Sequence, residues 1–200
     1  NKYGAALRLD YYVIPGLRIG LSGYYGHSIG NSYPKNKNGV DAEFKGAVAV
    51  GALDFTYKGH NWIVRGQADY GYLGDAQELK YVYNRLNSKS PYKHSAYVSQ
   101  NAYAVGIEAG YDIFSQIEKL RADNQKLYIF GRYEDYNPYA SKTKNTAYDY
   151  TSVKRMSVGV NYYPLKEIAV KAEFSKRFLK SQFNNEPSVN IGIAYEGFFL

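Results

Sequence analysis

The chain of 200 residues has no cysteine, one methionine, one tryptophan and three histidines. Without cysteine there is no disulfide scaffold, no Cys-ligated zinc or iron–sulfur centre and no thiol nucleophile. Long apolar runs are missing too. The longest uncharged, mostly apolar stretch covers residues 46–53, far short of the roughly 20 residues that a bilayer-spanning helix needs. No basic leader with an apolar centre opens the chain, which reads as an export signal already removed. Catalytic signatures are also absent: there is no G-x-S-x-G, H-E-x-x-H or P-loop. His27, His60 and His94 fall in or beside connections. His27 and His94 each precede a serine, but sequence neighbours seldom present a base to a nucleophile. No enzyme activity, metal or other cofactor is expected.

What the chain has instead is tyrosine. It holds 24 Tyr, nine Phe and 19 Gly, at a mean hydropathy of −0.49. A soluble domain would draw its apolar content from Leu, Ile and Val. A membrane barrel needs apolar residues only at alternate positions and aromatic girdles at both interfaces.

The dominant period is two. Leu7, Leu9, Tyr11 and Val13 alternate with Arg8, Asp10 and Tyr12, and Leu17, Ile19 and Leu21 with Arg18, Gly20 and Ser22. Seven further segments behave alike, centred on Phe55, Ala68, Ile107, Ile129, Val158, Ala172 and Ile191. Their length suits tilted membrane strands of about 9–11 residues better than sandwich strands of about 5–6. The expected fold is all-β: an antiparallel transmembrane β-barrel with about nine strands present.

Connections alternate in length. Short, turn-like links at residues 14–16, 59–61 and 164–167 separate long polar stretches at 28–43, 74–98, 136–150 and 180–187, the pattern of periplasmic turns and extracellular loops. Residues 114–125 break it and predict either longer flanking strands or a helical turn. A short helix is also predicted within residues 76–87, where helix formers dominate. Single-chain bacterial barrels have even strand numbers. Nine strands therefore predict that residues 1–200 are the C-terminal part of one longer barrel domain, unless a strand is hidden within residues 40–50.

Individual segments become specific at this point. LRLDYYVIPGLRIGLSGYYG, GALDFTYKGHNWIVRGQADYGYLGDA, AVGIEAGYDIF, KLYIFGRYEDYN, VGVNYYPLKEIAVKAEFSKR and PSVNIGIAYEGFF resemble the C-terminal half of the phosphate-selective porin O and P family, particularly its Bacteroidetes-type members. The resemblance implies a barrel of about sixteen strands in the outer membrane of a Gram-negative bacterium. It also implies a homotrimer passing small anions such as phosphate. The last residues resemble the aromatic signal read by the barrel-assembly machinery, with Leu200 following Phe199.

On the polar face, the period places Arg8, Arg18, Lys58, Arg65, Arg132, Arg155, Lys171 and Arg177 as pore-lining bases. Opposite them come Asp10, Asp54, Asp69, Glu108, Asp112, Glu134, Glu173 and Glu196. Such a wall is either a cross-braced lumen or an anion attractor, the latter where unpaired bases cluster at one height. Arg65, Arg132 and Arg155, mid-strand on different strands, are the candidates for that cluster. Tyr11, Tyr57, Tyr70, Tyr111, Tyr133, Tyr162 and Tyr195 are expected to face lipid. Tyr12, Phe130 and Tyr163 are expected to face the lumen, and Tyr24 and Tyr25 to open the first long loop.

The net charge of +7 falls mostly in the long loops. There it is expected to meet lipopolysaccharide and anionic solutes. With no continuous basic stripe, nucleic acid is not an expected partner. The reading is a porin for small solutes with an anion preference; the alternative is a non-conducting barrel that docks partners in an envelope complex.

Overall fold

The computed structural model describes residues 3–27, 46–76, 99–140, 151–179 and 185–196. Those residues form nine strands: β1 (Ala5–Ile14), β2 (Leu17–His27), β3 (Ala47–Gly59), β4 (Trp62–Leu73), β5 (Asn101–Asp112), β6 (Lys126–Asn137), β7 (Val153–Leu165), β8 (Ile168–Phe178) and β9 (Ser188–Tyr195). Each pairs antiparallel with the next, so sequence order is also spatial order in one nine-stranded sheet. The all-β architecture expected from the period is what is observed. Among the described residues, β1 and β9 each have one free edge.

Turn chemistry fixes the register at one end. Pro15 and Gly16 link β1 to β2, and Gly16 takes a φ of 88° that a side chain would strain against the Lys58 carbonyl. His60 and Asn61 link β3 to β4 with φ of 51° and 65°. Positive values at both centres mark the mirror-image turn whose twist matches a hairpin. His60 Nδ1 lies 2.8 Å from the Tyr57 hydroxyl, so this histidine is a turn residue. Lys166 and Glu167 link β7 to β8. The fourth link is the irregular one: a 3-10 turn (Ile113–Gln116) and a short helix α1 (Glu118–Ala122), the helical option of the two. Asp112 holds its entry, accepting the Phe114 and Leu127 amides at 3.1 Å each.

Three expectations need correction. Tyr24 and Tyr25 lie within β2, and Tyr136 closes β6 rather than opening a loop. In the described part of residues 40–50 there is no separate strand: Ala47 through Tyr57 pair continuously with β2, so residues 47–50 belong to β3, and residues 40–45 lie outside the described residues. Strand formers simply continue through residues 47–50. Of the helix expected in residues 76–87, all but Ala76 lies outside the described residues, as do His94 and most of the loop lysines.

The two faces differ throughout. One carries Leu7, Leu9, Leu21, Leu53, Val105, Ile107, Ile129, Val158, Val160, Ile191 and Ile193, and it is exposed: Ile191 and Ile193 are each 78% accessible. Among the described residues no second layer covers this face, and no large side chain is fully buried. Aromatic rings mark its ends. Tyr11, Tyr57, Trp62, Tyr111, Tyr162 and Tyr195 stand near the short links, with Trp62 stacked 4.9 Å from Tyr111 between ring centroids. Tyr25, Tyr70, Tyr72, Tyr103 and Tyr133 stand toward the other end, and three of their tips find polar partners, the Tyr72 hydroxyl accepting from Gln100 at 3.2 Å. Tyr70 donates to Asn101 at 2.9 Å and Tyr103 to Asp135 at 3.1 Å. Asp135 also lies 3.8 Å from Lys154, so charge returns to this face only where the apolar stretch ends.

Candidate functional site: the charged inner face

The opposite face is concave and polar. Register assembles its side chains into two adjacent rows running across the strands. One row reads Asp10, Gly20, Asp54, Gln67, Gly106, Glu134, Arg155 and Arg177. The next reads Tyr12, Arg18, Thr56, Arg65, Glu108, Arg132, Ser157, Ser175 and Ser188. A recess of about 580 Å³ opens along these rows from Arg8 on β1 to Arg132 and Glu134 on β6.

All eight bases assigned to the polar face stand on it, but not as an array of free cations. At the β1–β3 end, Arg8 and Arg18 share two carboxylates. Arg18 reaches Asp10 at 2.5 Å and Asp54 at 2.6 Å; Arg8 reaches the same pair at 2.8 and 3.0 Å. Gly20 makes this quartet possible. A Cβ there would overlap Arg8, Asp54 and Asp10, so the four side chains close over bare backbone. Gly20→Val is expected to push these four charged tips apart and to cost no more than the exposed pairs are worth, about 0.2–1 kcal/mol, read by urea titration. Gly192→Val, where a Cβ meets nothing within 4 Å, is expected to stay within about 0.5 kcal/mol of the parent.

The candidates for a free cluster are corrected by the pairing. Arg65 binds Glu108 at 2.6 Å. Arg132 is the centre of the mesh, in contact with Glu173, with Glu108 at 3.7 Å and with Glu134 at 4.0 Å. Arg155 lies 3.6 Å from Glu134 and its guanidinium donates to the Tyr136 hydroxyl. These side chains are one-third to two-thirds exposed, so each pair contributes only about 0.2–1 kcal/mol.

Of the eight, those without an ion pair among the described residues are instead Lys58, Lys171 and Arg177. Lys126, beside Tyr163 at the start of β6, is a fourth inner-face base that the period alone did not bring out. The surplus is uneven. On β6–β9 the inner face carries Lys126, Arg132, Arg155, Lys171 and Arg177 against Glu134, Glu173 and, one residue past β9, Glu196. On β1–β5, Arg8, Arg18, Lys58 and Arg65 meet Asp10, Asp54, Asp69, Glu108 and the turn-capping Asp112. Positive field is therefore concentrated on one flank of the sheet.

Aromatics reach this face as well. Tyr12, Phe130 and Tyr163 are there as expected, joined by Tyr24, Tyr128 and Tyr136, which alternation did not separate from their outward neighbours. Phe130 is buried over Gly159, with the Arg132 guanidinium 6.0 Å from its ring centre. Tyr128 meets Tyr163 edge-on at 6.0 Å. They pack as wall rather than as an open stacking track.

No protein-family model matches the chain, and no curated protein matches it. Among solved structures it is similar to the TodX monoaromatic hydrocarbon channel deltaS2 mutant, at 11% identity and a TM-score of 0.35, over 97% of this chain and 59% of that one. The chain thus spans less than two thirds of that channel's length. At such distance nothing about solute or family passes from one protein to the other.

Proposed function

We propose that this sheet is an arc of the wall of a bacterial outer-membrane β-barrel that lets small solutes diffuse passively, with a preference for anions. One observation carries the reading: an apolar face, fringed by aromatic rings at both ends, lies uncovered by any layer of the described residues. In water such a surface would drive aggregation; in hydrocarbon it is the solvated state. The eleven residues from Trp62 to Tyr72, ten steps of about 3.3 Å at a tilt of about 40°, span about 25 Å, the height of a barrel's apolar band. Hydrocarbon does not tolerate open strand edges, so the reading requires further strands between β9 and β1. Those strands close the wall around a wet lumen lined by the charged rows.

The anion preference rests on the cation surplus of β6–β9, where water-filled, low-dielectric walls focus the field. The resemblance to the phosphate-selective porin O and P family points the same way, toward a trimer in contact with lipopolysaccharide. Planar-bilayer recording on the full-length protein tests it. Stable conductance steps, with reversal potentials favouring chloride over potassium in a salt gradient, are expected. Repeated insertion without current would replace this reading by that of a docking barrel.

A further inference from the structure

The outward, apolar face is nearly free of charge, and the exceptions are gathered in one place. Among the described residues of the nine strands, its only carboxylate, ammonium or guanidinium groups are those of Asp135, Lys154 and Lys176, on the consecutive strands β6, β7 and β8. Asp135 faces Lys154 across the β6–β7 pair, and Lys154 faces Phe178 on β8. One row nearer the short links, Tyr133, Met156 and Lys176 stand side by side. Lys154 and Lys176 are therefore diagonal neighbours, about 7–8 Å apart along the backbone surface, and both are exposed.

The patch is not balanced from within. Asp135 reaches Lys154 only at 3.8 Å and already accepts the Tyr103 hydroxyl at 3.1 Å. Lys176 has no ion pair among the described residues, and its ammonium lies 5.8 Å from the Phe178 ring centre. One cation is left over, at a telling depth. From Ile168, beside the β7–β8 link, eight steps of about 3.3 Å at a tilt of about 40° place Lys176 about 20 Å along the barrel axis. That is inside the loop-side margin of an apolar band about 25 Å tall. The four-carbon stem carries the ammonium up to the headgroup layer. A cation on the lipid face costs more the deeper it stands, and a lipid anion at the end of its reach lowers that cost.

We infer that Lys154 and Lys176 clasp the phosphate of an anionic lipid in the loop-side leaflet, whose acyl chains lie along Met156, Val158 and Phe174. The inference rests on the membrane-barrel reading above. It goes beyond that reading in giving the wall a bound lipid at a fixed place, apart from any solute in the lumen. Two ammonium groups suit this partner: each is a compact charge on a flexible stem, so the pair follows a phosphate whose height in the leaflet varies. Met156, Val158 and Phe174 are exposed on the same face beside and below the lysines, where chains from that headgroup cover them. The outward face of β1–β5 carries no such charge among the described residues, so the lipid is held on one flank of the sheet.

The probe is lipid A bearing both phosphates, titrated into the full-length protein in an uncharged detergent, with retained lipid counted by native mass spectrometry. One tightly held copy is expected. Lys176→Gln and Lys154→Gln should each weaken retention about fivefold, the worth of one cation at an anionic lipid surface. Lys176→Arg keeps a cation at the same depth and should stay within about twofold of the parent. Asp135→Asn removes the competing carboxylate and should tighten retention about threefold, the reverse of what damage to the fold produces. Lys119→Gln, an exposed cation on α1 at the short-link rim, should change nothing. Equal retention of dephosphorylated lipid A, or retention unmoved by Lys176→Gln, overturns the site and leaves the channel standing. Displacement of the lipid by millimolar inorganic phosphate gives the lysines to a free anion and overturns the lipid assignment. The readout needs no current, so it decides the site even where planar-bilayer recording is silent; that silence counts against the channel alone.

Discussion

Val158→Arg is expected to cost about 2–4 kcal/mol of folding free energy in a bilayer, the penalty for a cation at mid-depth on a lipid-facing strand. Val158 is the outward residue at the middle of β7, 58% exposed, between Gly131 of β6 and Phe174 of β8. None of the three offers a polar group to an arginine there. Gln67→Arg is the matched control. It stands at similar depth on the inner face, opposite Asp54 and two residues from Asp69, where an added cation meets carboxylates and water. It should shift stability by less than about 0.5 kcal/mol. Both are read by urea titration of protein folded into lipid vesicles, with Trp62, the single tryptophan, as fluorophore. Equal costs at the two positions would mean that the exposed apolar face does not meet lipid, and the proposed function would go with it.

Arg132→Ala should produce the largest change on the inner face. One guanidinium holds Glu173 and stands within 4.0 Å of Glu108 and Glu134. Its removal leaves three carboxylates with Arg65 and Arg155 as remaining partners. A stability loss of about 1–3 kcal/mol follows from the lost charged hydrogen bonds; solvent reaching the mesh keeps it from being larger. The electrical effect is sharper, because unmasked carboxylates then line the flank that carried the cation surplus. The chloride-over-potassium preference should fall several-fold, read as a shift of reversal potential toward the cation value. Arg132→Lys retains the charge without the fork and should recover selectivity better than stability. Unchanged selectivity in Arg132→Ala would place the ion path elsewhere.

Alternation made the strands and their faces legible because side-chain direction in a strand is a local property. Leu7 against Arg8, or Val158 against Ser157, needs no knowledge of the neighbouring strand. The weakest points were ends and links. Tyr24 and Tyr25 resemble loop openers by composition, yet β2 carries them because Ala49 and Val50 continue β3 opposite them. Pairing was the part that could not be read. Whether Arg132 is free depends on Glu108, Ser157 and Glu173 arriving on three other strands. A two-residue turn fixes register within a hairpin such as β3–β4. The long connections between hairpins fix nothing by themselves, and the hydrophobic pattern admits any even shift. Cross-strand charge matching was the usable signal. Glu108 stands between Arg65 and Arg132, and Asp10 and Asp54 flank Arg18. Gly20 and Ser157 carried no such signal, since a missing side chain and an unmet hydroxyl become visible only once their surroundings exist.

The tight reversals at Pro15–Gly16, His60–Asn61 and Lys166–Glu167 all lie at one rim, opposite the rim where residues 28–46, 74–100, 138–152 and 179–187 cross between strands. One added residue in a two-residue reversal would rotate every following side chain to the wrong face. At the other rim, added length is absorbed before the next strand begins. At the first rim only residues 113–125 share that freedom, the three two-residue reversals keeping their count; variation in size is expected chiefly along the second rim. Any engineered epitope or fusion should enter there.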